Sequence, residues 1–186
     1  MKTQLQLPET YQESFQIDLQ KDKKLALLVN GLALLIAVPV MLLGFWLEPI
    51  GTFLDEGALG MLWILLGMVV YMVLHELVHG IFMRWFSGVR PHYGVTALYA
   101  YAGSDAYFDR THYIIIALAP VVVWGVVLGV LCLVTEGYWF WLFYLLEMLN
   151  LSGAAGDLYV TWRFSKLSPD ILVQDTGVAM TVYDRM

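Results

Sequence analysis

The chain has 186 residues, 60% of them hydrophobic and 14% charged, with a mean hydropathy of +0.69. A soluble domain is nearer half apolar and a quarter charged, so these values argue against an ordinary soluble globule and against disorder. Ten Lys and Arg against 16 Asp and Glu give a net charge of −6 and no basic face for nucleic acid. The single cysteine, Cys132, excludes an internal disulfide and a cysteine-based zinc site.

Residues 1–24 are polar, with Gln4, Gln6, Glu9, Gln12, Glu13, Gln16 and Asp18, and do not read as a secretory signal. Four apolar stretches follow, at 25–47, 58–86, 113–134 and 138–158. Each has the roughly 20 residues that a helix needs to cross the hydrocarbon core. The fold expected is mainly α: a polytopic bundle of four transmembrane helices over 25–167. An N-terminal segment, 1–24, and a tail, 168–186, flank it. The lipid bilayer is then an obligatory partner.

The cationic residues set an orientation. Lys2, Lys21, Lys23 and Lys24 precede the first span; Arg84, Arg90 and Arg110 lie between the second and third; Arg163, Lys166 and Arg185 follow the fourth. The other connections, 48–57 and 135–137, carry only Glu48, Asp55, Glu56 and Glu136. The positive-inside rule places both termini in the cytoplasm, with the protein in the inner membrane.

Between the second and third spans, residues 87–112 hold Gly88, Pro91, Gly94, Gly103 and Ser104. Among these lie Tyr93, Val95, Leu98, Tyr99, Tyr101, Tyr107 and Phe108. The composition predicts a short β-rich loop, with Gly103-Ser104-Asp105 as a turn between two strands. In the tail, 171–174 and 178–183 flank Asp175-Thr176-Gly177 and predict a hairpin, to which 15–19 could add a strand. Pro120 in the third span predicts a kink. Tyr138, Trp139, Trp141 and Tyr144 read as interfacial anchors.

The second span carries His75-Glu76-Leu77-Val78-His79, an HExxH motif. On a helix, positions i and i+4 share a face one turn apart. Two imidazoles so placed can bind one zinc ion, and Glu76 can act as general base toward water at the metal. Ionisable residues inside an apolar span are costly and default to a functional reading. A cluster that merely packs helices through hydrogen bonds is the plain alternative.

A hydrolytic zinc site takes a third protein ligand and leaves one position open. His92, His112, Glu147 and Asp157 are the candidates. His79 lies five residues before Arg84 and Asp157 six before Arg163, which puts both about 7–9 Å inside the cytoplasmic interface at 1.5 Å per residue. Glu147 lies about 15 Å deeper by the same rise. His92 and His112 fall outside the spans. Asp157 is therefore the expected third ligand. Gly153, Ala154 and Gly156 beside it allow close helix approach. Asn150, on the same stripe, either hydrogen-bonds substrate or ties two helices together.

HExxH in one span, with an Asn-to-Asp stretch in a later span, resembles the site-2 protease group of intramembrane zinc metalloproteases. The closer likeness is to small bacterial membrane proteins of the putative zincin peptidase family. These share HExxH, a mixed loop, an Ala-Pro span (Ala119-Pro120 here) and a Gly-Asp pair (Gly156-Asp157), over most of the chain from about Leu25. The resemblance implies His75, His79 and Asp157 as zinc ligands and Glu76 as catalytic acid/base. Gly153 stands where the site-2 group has proline, and Leu158 where it has glycine. The expected activity is zinc-dependent hydrolysis of peptide bonds in a protein or peptide substrate. Two other readings stand beside it: a non-enzymatic zinc protein closed by His92 or His112, and a small transporter subunit using Glu147.

Overall fold

A computed structural model describes residues 3–96 and 99–186. Lys2 and Leu98, used in the reading of charge and of the loop, lie outside the described residues. The element order is β1 (Tyr11–Ile17), α1 (Lys23–Leu47), α2 (Gly51–Leu54), α3 (Gly57–Ser87), β2 (His92–Val95), β3 (Ala100–Gly103), β4 (Tyr107–Asp109), α4 (Arg110–Val134), α5 (Gly137–Gly153), α6 (Ala155–Ser165), β5 (Leu172–Asp175) and β6 (Met180–Arg185).

Among the described residues, three helices are long and apolar enough to cross a membrane: α1, α3 and α4. Four were expected. The stretch at 138–158 is instead divided into α5, of 17 residues, and α6, of 11. The division falls at Ala154, whose ψ of 13° leaves the helical range. Gly153 and Gly156 flank it, and each weakens a helix by about 1 kcal/mol relative to alanine. The apolar faces of α1 and α3 are open: Leu27, Leu34, Leu35, Trp46, Leu62 and Leu65 are all exposed. No water-facing helix buries so little of such a surface without penalty.

By internal contacts the chain forms two compact units. The first comprises Met1–Leu28, Glu76–Ala119 and Asp157–Met186. It contains an antiparallel four-stranded sheet in the order β1-β6-β5-β4 and a two-stranded sheet of β2 and β3. The predicted tail hairpin is β5–β6, and β1 adds to β6 as the alternation at 15–19 suggested, starting earlier, at Tyr11. The turn expected at Gly103-Ser104-Asp105 does lie between two short strands. It joins β3 to β4, which lie in different sheets, whereas β2 and β3 are closed by a Thr96 N–H to Tyr99 carbonyl bond of 2.8 Å. Thr96 wins as the turn residue because its hydroxyl also bonds the backbone of Tyr99.

The core of this unit is the inner face of the larger sheet, Ile17, Phe108, Val173 and Val182. It packs against Met83, Tyr113, Ile116, Val160 and Phe164 from the helices. Period-2 alternation supplies the sheet residues and helical spacing the others. Gly177, at φ +78°, completes the β5–β6 turn, and its N–H donates to the Asp175 carboxylate at 2.8 Å. The Tyr101 ring covers Gly177 so closely that a Cβ there would fall inside it.

The second unit comprises Val29–His75 and Pro120–Gly156. Its packing is aromatic and aliphatic: Phe140, Trp141 and Tyr144 against Val40, Met41 and Phe53, and Tyr71 with Leu128 and Leu146. Gly44 takes the edge of the Tyr144 ring, whose hydroxyl donates to the Val40 carbonyl. Trp141, expected as an interfacial anchor, is fully buried, while Trp139 is exposed.

Phe108 is wholly enclosed in the first unit's core. Phe108→Ala is expected to cost about 3–5 kcal/mol, read from denaturant unfolding of the detergent-solubilised protein. Asp175 yields a pH test. Burial raises its carboxyl above the ordinary range, partly offset by hydrogen bonds from Tyr113 and Gly177. A raised folded pKa means that stability falls as pH climbs from the unfolded value to the folded one. Asp175→Asn is therefore expected to gain thermal stability relative to the parent from pH 4 to pH 8, measured as the difference in Tm across that range.

Candidate metal centre

Helix α3 continues unbroken through the motif, so His75 and His79 stand one turn apart on one face. Asp157 is the third residue of α6 and lies in its first turn. The break at Ala154 matters here. It begins a new helix, whose N-terminal dipole favours a carboxylate at that position. His79 Nε2 and Asp157 Oδ2 are 3.7 Å apart. The ligand atoms of His75, His79 and Asp157 all lie within 4.8 Å of one another.

These distances fit a shared ion. Two ligand atoms at about 2.0–2.1 Å from a tetrahedral zinc are about 3.3–3.4 Å apart. The His79–Asp157 pair is already close to this, and small side-chain rotations bring in the third. Two imidazoles and a carboxylate are also a ligand set used by hydrolytic zinc sites. The three residues could thus hold a metal ion. His79 is buried, while His75 and Asp157 are partly open.

Both imidazoles are oriented through Nδ1. That of His79 is 2.9 Å from the carbonyl oxygen of Ile116. A carbonyl in mid-helix normally accepts the N–H four residues on, but the residue four after Ile116 is Pro120, which has none. The proline thus leaves a backbone acceptor available inside α4, and His79 uses it. As an acceptor, the carbonyl requires the proton on Nδ1, which directs Nε2 to the Asp157 side. The Nδ1 of His75 is 2.9 Å from the Tyr71 hydroxyl, one turn earlier on α3.

Glu76 is held from another side. Its Oε2 accepts the backbone N–H of Ala102 on β3 at 2.8 Å. Ala102 pairs with Tyr93 across the hairpin. Its N–H nevertheless points to Glu76, so this edge of β3 faces the motif. Gly80 explains the close approach: a Cβ there would meet the Tyr93 hydroxyl. Burial raises the Tyr93 phenol above its ordinary pKa, and the nearby Glu76 charge adds to this.

The remaining candidates lie elsewhere. His112 Nδ1 is 2.6 Å from Asp109 Oδ2, and its ring packs on Phe86. His92 Nε2 is 3.3 Å from the Thr176 carbonyl. Glu147 accepts from Asn150 Nδ2 at 3.1 Å. None of the three belongs to the group of neighbouring ligand atoms. Asn150 is fully buried, with its amide bonded to Tyr71, Val121 and Glu147. Tyr71, Ile116 and Ala102 were not singled out from the sequence. Tyr71 was within reach, because it continues the 71-75-79 stripe. Ile116 also had a signal, the proline four residues on that frees its carbonyl, whereas Ala102 acts through a backbone N–H that carries no residue signature.

The profile of the family described as putative zincin peptidase matches residues 68–172, which include the three ligand candidates, Glu76 and Pro120. No curated protein and no solved structure matches the chain. The match spans more than half of the sequence, and the chain belongs to the putative zincin peptidase family.

Proposed function

We propose that this protein is a membrane-embedded zinc metallopeptidase of the inner membrane. In this reading α1, α3 and α4 each cross the bilayer and the α5–α6 pair forms the fourth crossing. Both termini and the reaction site are on the cytoplasmic side, as in the site-2 proteases. The observation that carries the reading is the gathering of His75, His79 and Asp157 within 4.8 Å, beside Glu76. Three protein ligands leave a position for water and substrate, as hydrolysis requires and a closed structural site does not.

Bound zinc supplies a lowered water pKa, about 7, and polarises the scissile carbonyl. Glu76 takes the proton from the attacking water and returns it to the departing amine. The Ala102 N–H aims the Glu76 carboxylate in the meantime. His79 and His75 present Nε2 through their bonds to Ile116 and Tyr71. The β3 edge beside Glu76 suits an extended peptide, which would add to it as a further strand.

Metal content of the detergent-purified protein is the direct test. The parent is expected to carry near one zinc per chain, and His79→Ala and Asp157→Ala to lose it. Zinc absent from folded parent protein overturns the reading. Glu76→Gln is expected to keep its zinc and lose at least about 10²–10⁴-fold in hydrolysis of a quenched-fluorescent peptide library. Unchanged hydrolysis in that variant would remove Glu76 from the chemistry. Ala102→Pro deletes the N–H that faces Glu76. It is expected to cut hydrolysis while zinc content stays at the parent level.

A further inference from the structure

A line of hydrogen bonds runs from His75 to a carboxylate that the hydrolytic reading leaves unused. His75 Nδ1 is 2.9 Å from the Tyr71 hydroxyl. Tyr71 donates to Asn150 Oδ1 at 2.8 Å. Asn150 Nδ2 donates to Glu147 Oε2 at 3.1 Å and to the Val121 carbonyl at 3.2 Å. The line is built into the packing. Asn150 is fully buried and Tyr71 nearly so, with Trp124 edge-on to the Tyr71 ring. A Cβ at Gly125 would only just contact Asn150 Nδ2 and Glu147 Oε1, each at 3.5 Å, so α4 lies directly against the pair.

Every donor in this line is fixed by the next. Two acceptors, a backbone carbonyl and a carboxylate, face one end of the Asn150 amide, so that end is the NH₂. The other end is the carbonyl oxygen, which can only accept. The Tyr71 hydroxyl must therefore give its one proton to Asn150. Its oxygen is then left to accept, and the proton between Tyr71 and His75 belongs to His75 Nδ1. The tautomer of a metal-ligand candidate is thus set three residues away, with Nε2 as its ligating atom. Metal-bound histidines commonly reach a carboxylate directly through the second nitrogen. Here a phenol and an amide stand between.

We propose that Tyr71, Asn150 and Glu147 are positioning residues, forming a carboxylate-terminated chain that holds His75 in the Nδ1–H tautomer and aims its Nε2 at the metal. The proposal rests on the reading of His75 as a metal ligand. It also accounts for Glu147 without a transport role. The side-chain amide at the centre orients its neighbours but has no ionisable proton to pass along.

The test uses the full chain in detergent, with zinc affinity read by competition against a chromophoric chelator. Tautomers are read from ¹⁵N shifts of the four imidazoles in metal-free protein. In the parent, His75 is expected to show a protonated Nδ1. Tyr71→Phe keeps the ring packing and deletes the hydroxyl. It is expected to shift His75 toward the Nε2–H form and weaken zinc binding about 10–100-fold. Glu147→Gln keeps an acceptor for Asn150 and removes only the charge. It guards against misfolding of the first variant, and a loss of about 3–10-fold is expected. A purely structural role would lower thermal stability but leave the tautomer and the affinity unchanged, and that result overturns the proposal. His75→Ala separates the two levels. Zinc lost in His75→Ala but bound at parental affinity by both Tyr71→Phe and Glu147→Gln defeats the chain alone. Zinc retained in His75→Ala defeats the ligand assignment as well.

Discussion

An imidazole offers a metal only one of its two nitrogens, and the other needs a partner wherever water is scarce. This requirement shapes the architecture around the HExxH turn. His79 meets it with a backbone carbonyl and His75 with a phenol. Each solution draws in a second helix feature. For His79 it is a proline, whose missing N–H leaves Ile116 able to accept. For His75 it is a buried amide and a carboxylate on α5. Ionisable groups within apolar helices are costly unless paired. Tyr71, His75 and His79 of α3 and Glu147 and Asn150 of α5 are accordingly held in these two hydrogen-bonded lines.

The third ligand candidate depends on an interruption. An unbroken helix over 138–158 would have put Asp157 in mid-helix, without the favourable end of a dipole. The glycines at 153 and 156 weaken the helix there, and the turn at Ala154 restarts it, so Asp157 enters in the first turn of α6. The same α6 contributes Val160 and Phe164 to the core beneath the four-stranded sheet. Asp157 is thereby anchored to the sheet-bearing unit, as are Glu76 and His79. The β2–β3 hairpin is pinned to that unit by Tyr101 on Gly177 and Tyr93 on Gly80, and the Ala102 N–H reaches Glu76. Strand edge, general-base candidate and two of the ligand candidates, His79 and Asp157, share one support.

Much of this was legible in the residues. The i, i+4 spacing of His75 and His79 fixes a shared helical face once the stretch is helical. Counting from Arg84 and Arg163 placed His79 and Asp157 at a common depth, and their side chains lie 3.7 Å apart. Alternation in the tail marked the hairpin and its partner strand. The helix division was harder to read. Small residues both weaken a helix and suit close packing within one, and propensity alone does not choose. Gly103-Ser104-Asp105 has turn composition and does lie between two strands, but that it bridges two sheets depends on which strands find partners.

The sequence by itself determined the local facts: apolar length, the charge asymmetry, the two imidazoles on one turn, the proline without its N–H, and the glycines around Asp157. These follow from covalent structure and helix pitch, which need only neighbours in the chain. The tertiary structure decided which distant groups answer them. Ile116 faces His79, Ala102 faces Glu76, and Asn150 reaches across to Tyr71 because packed helices and a sheet bring atoms together from positions far apart in the chain. Backbone carbonyls and amides are the same at every residue, so only the fold can select the few that serve the site.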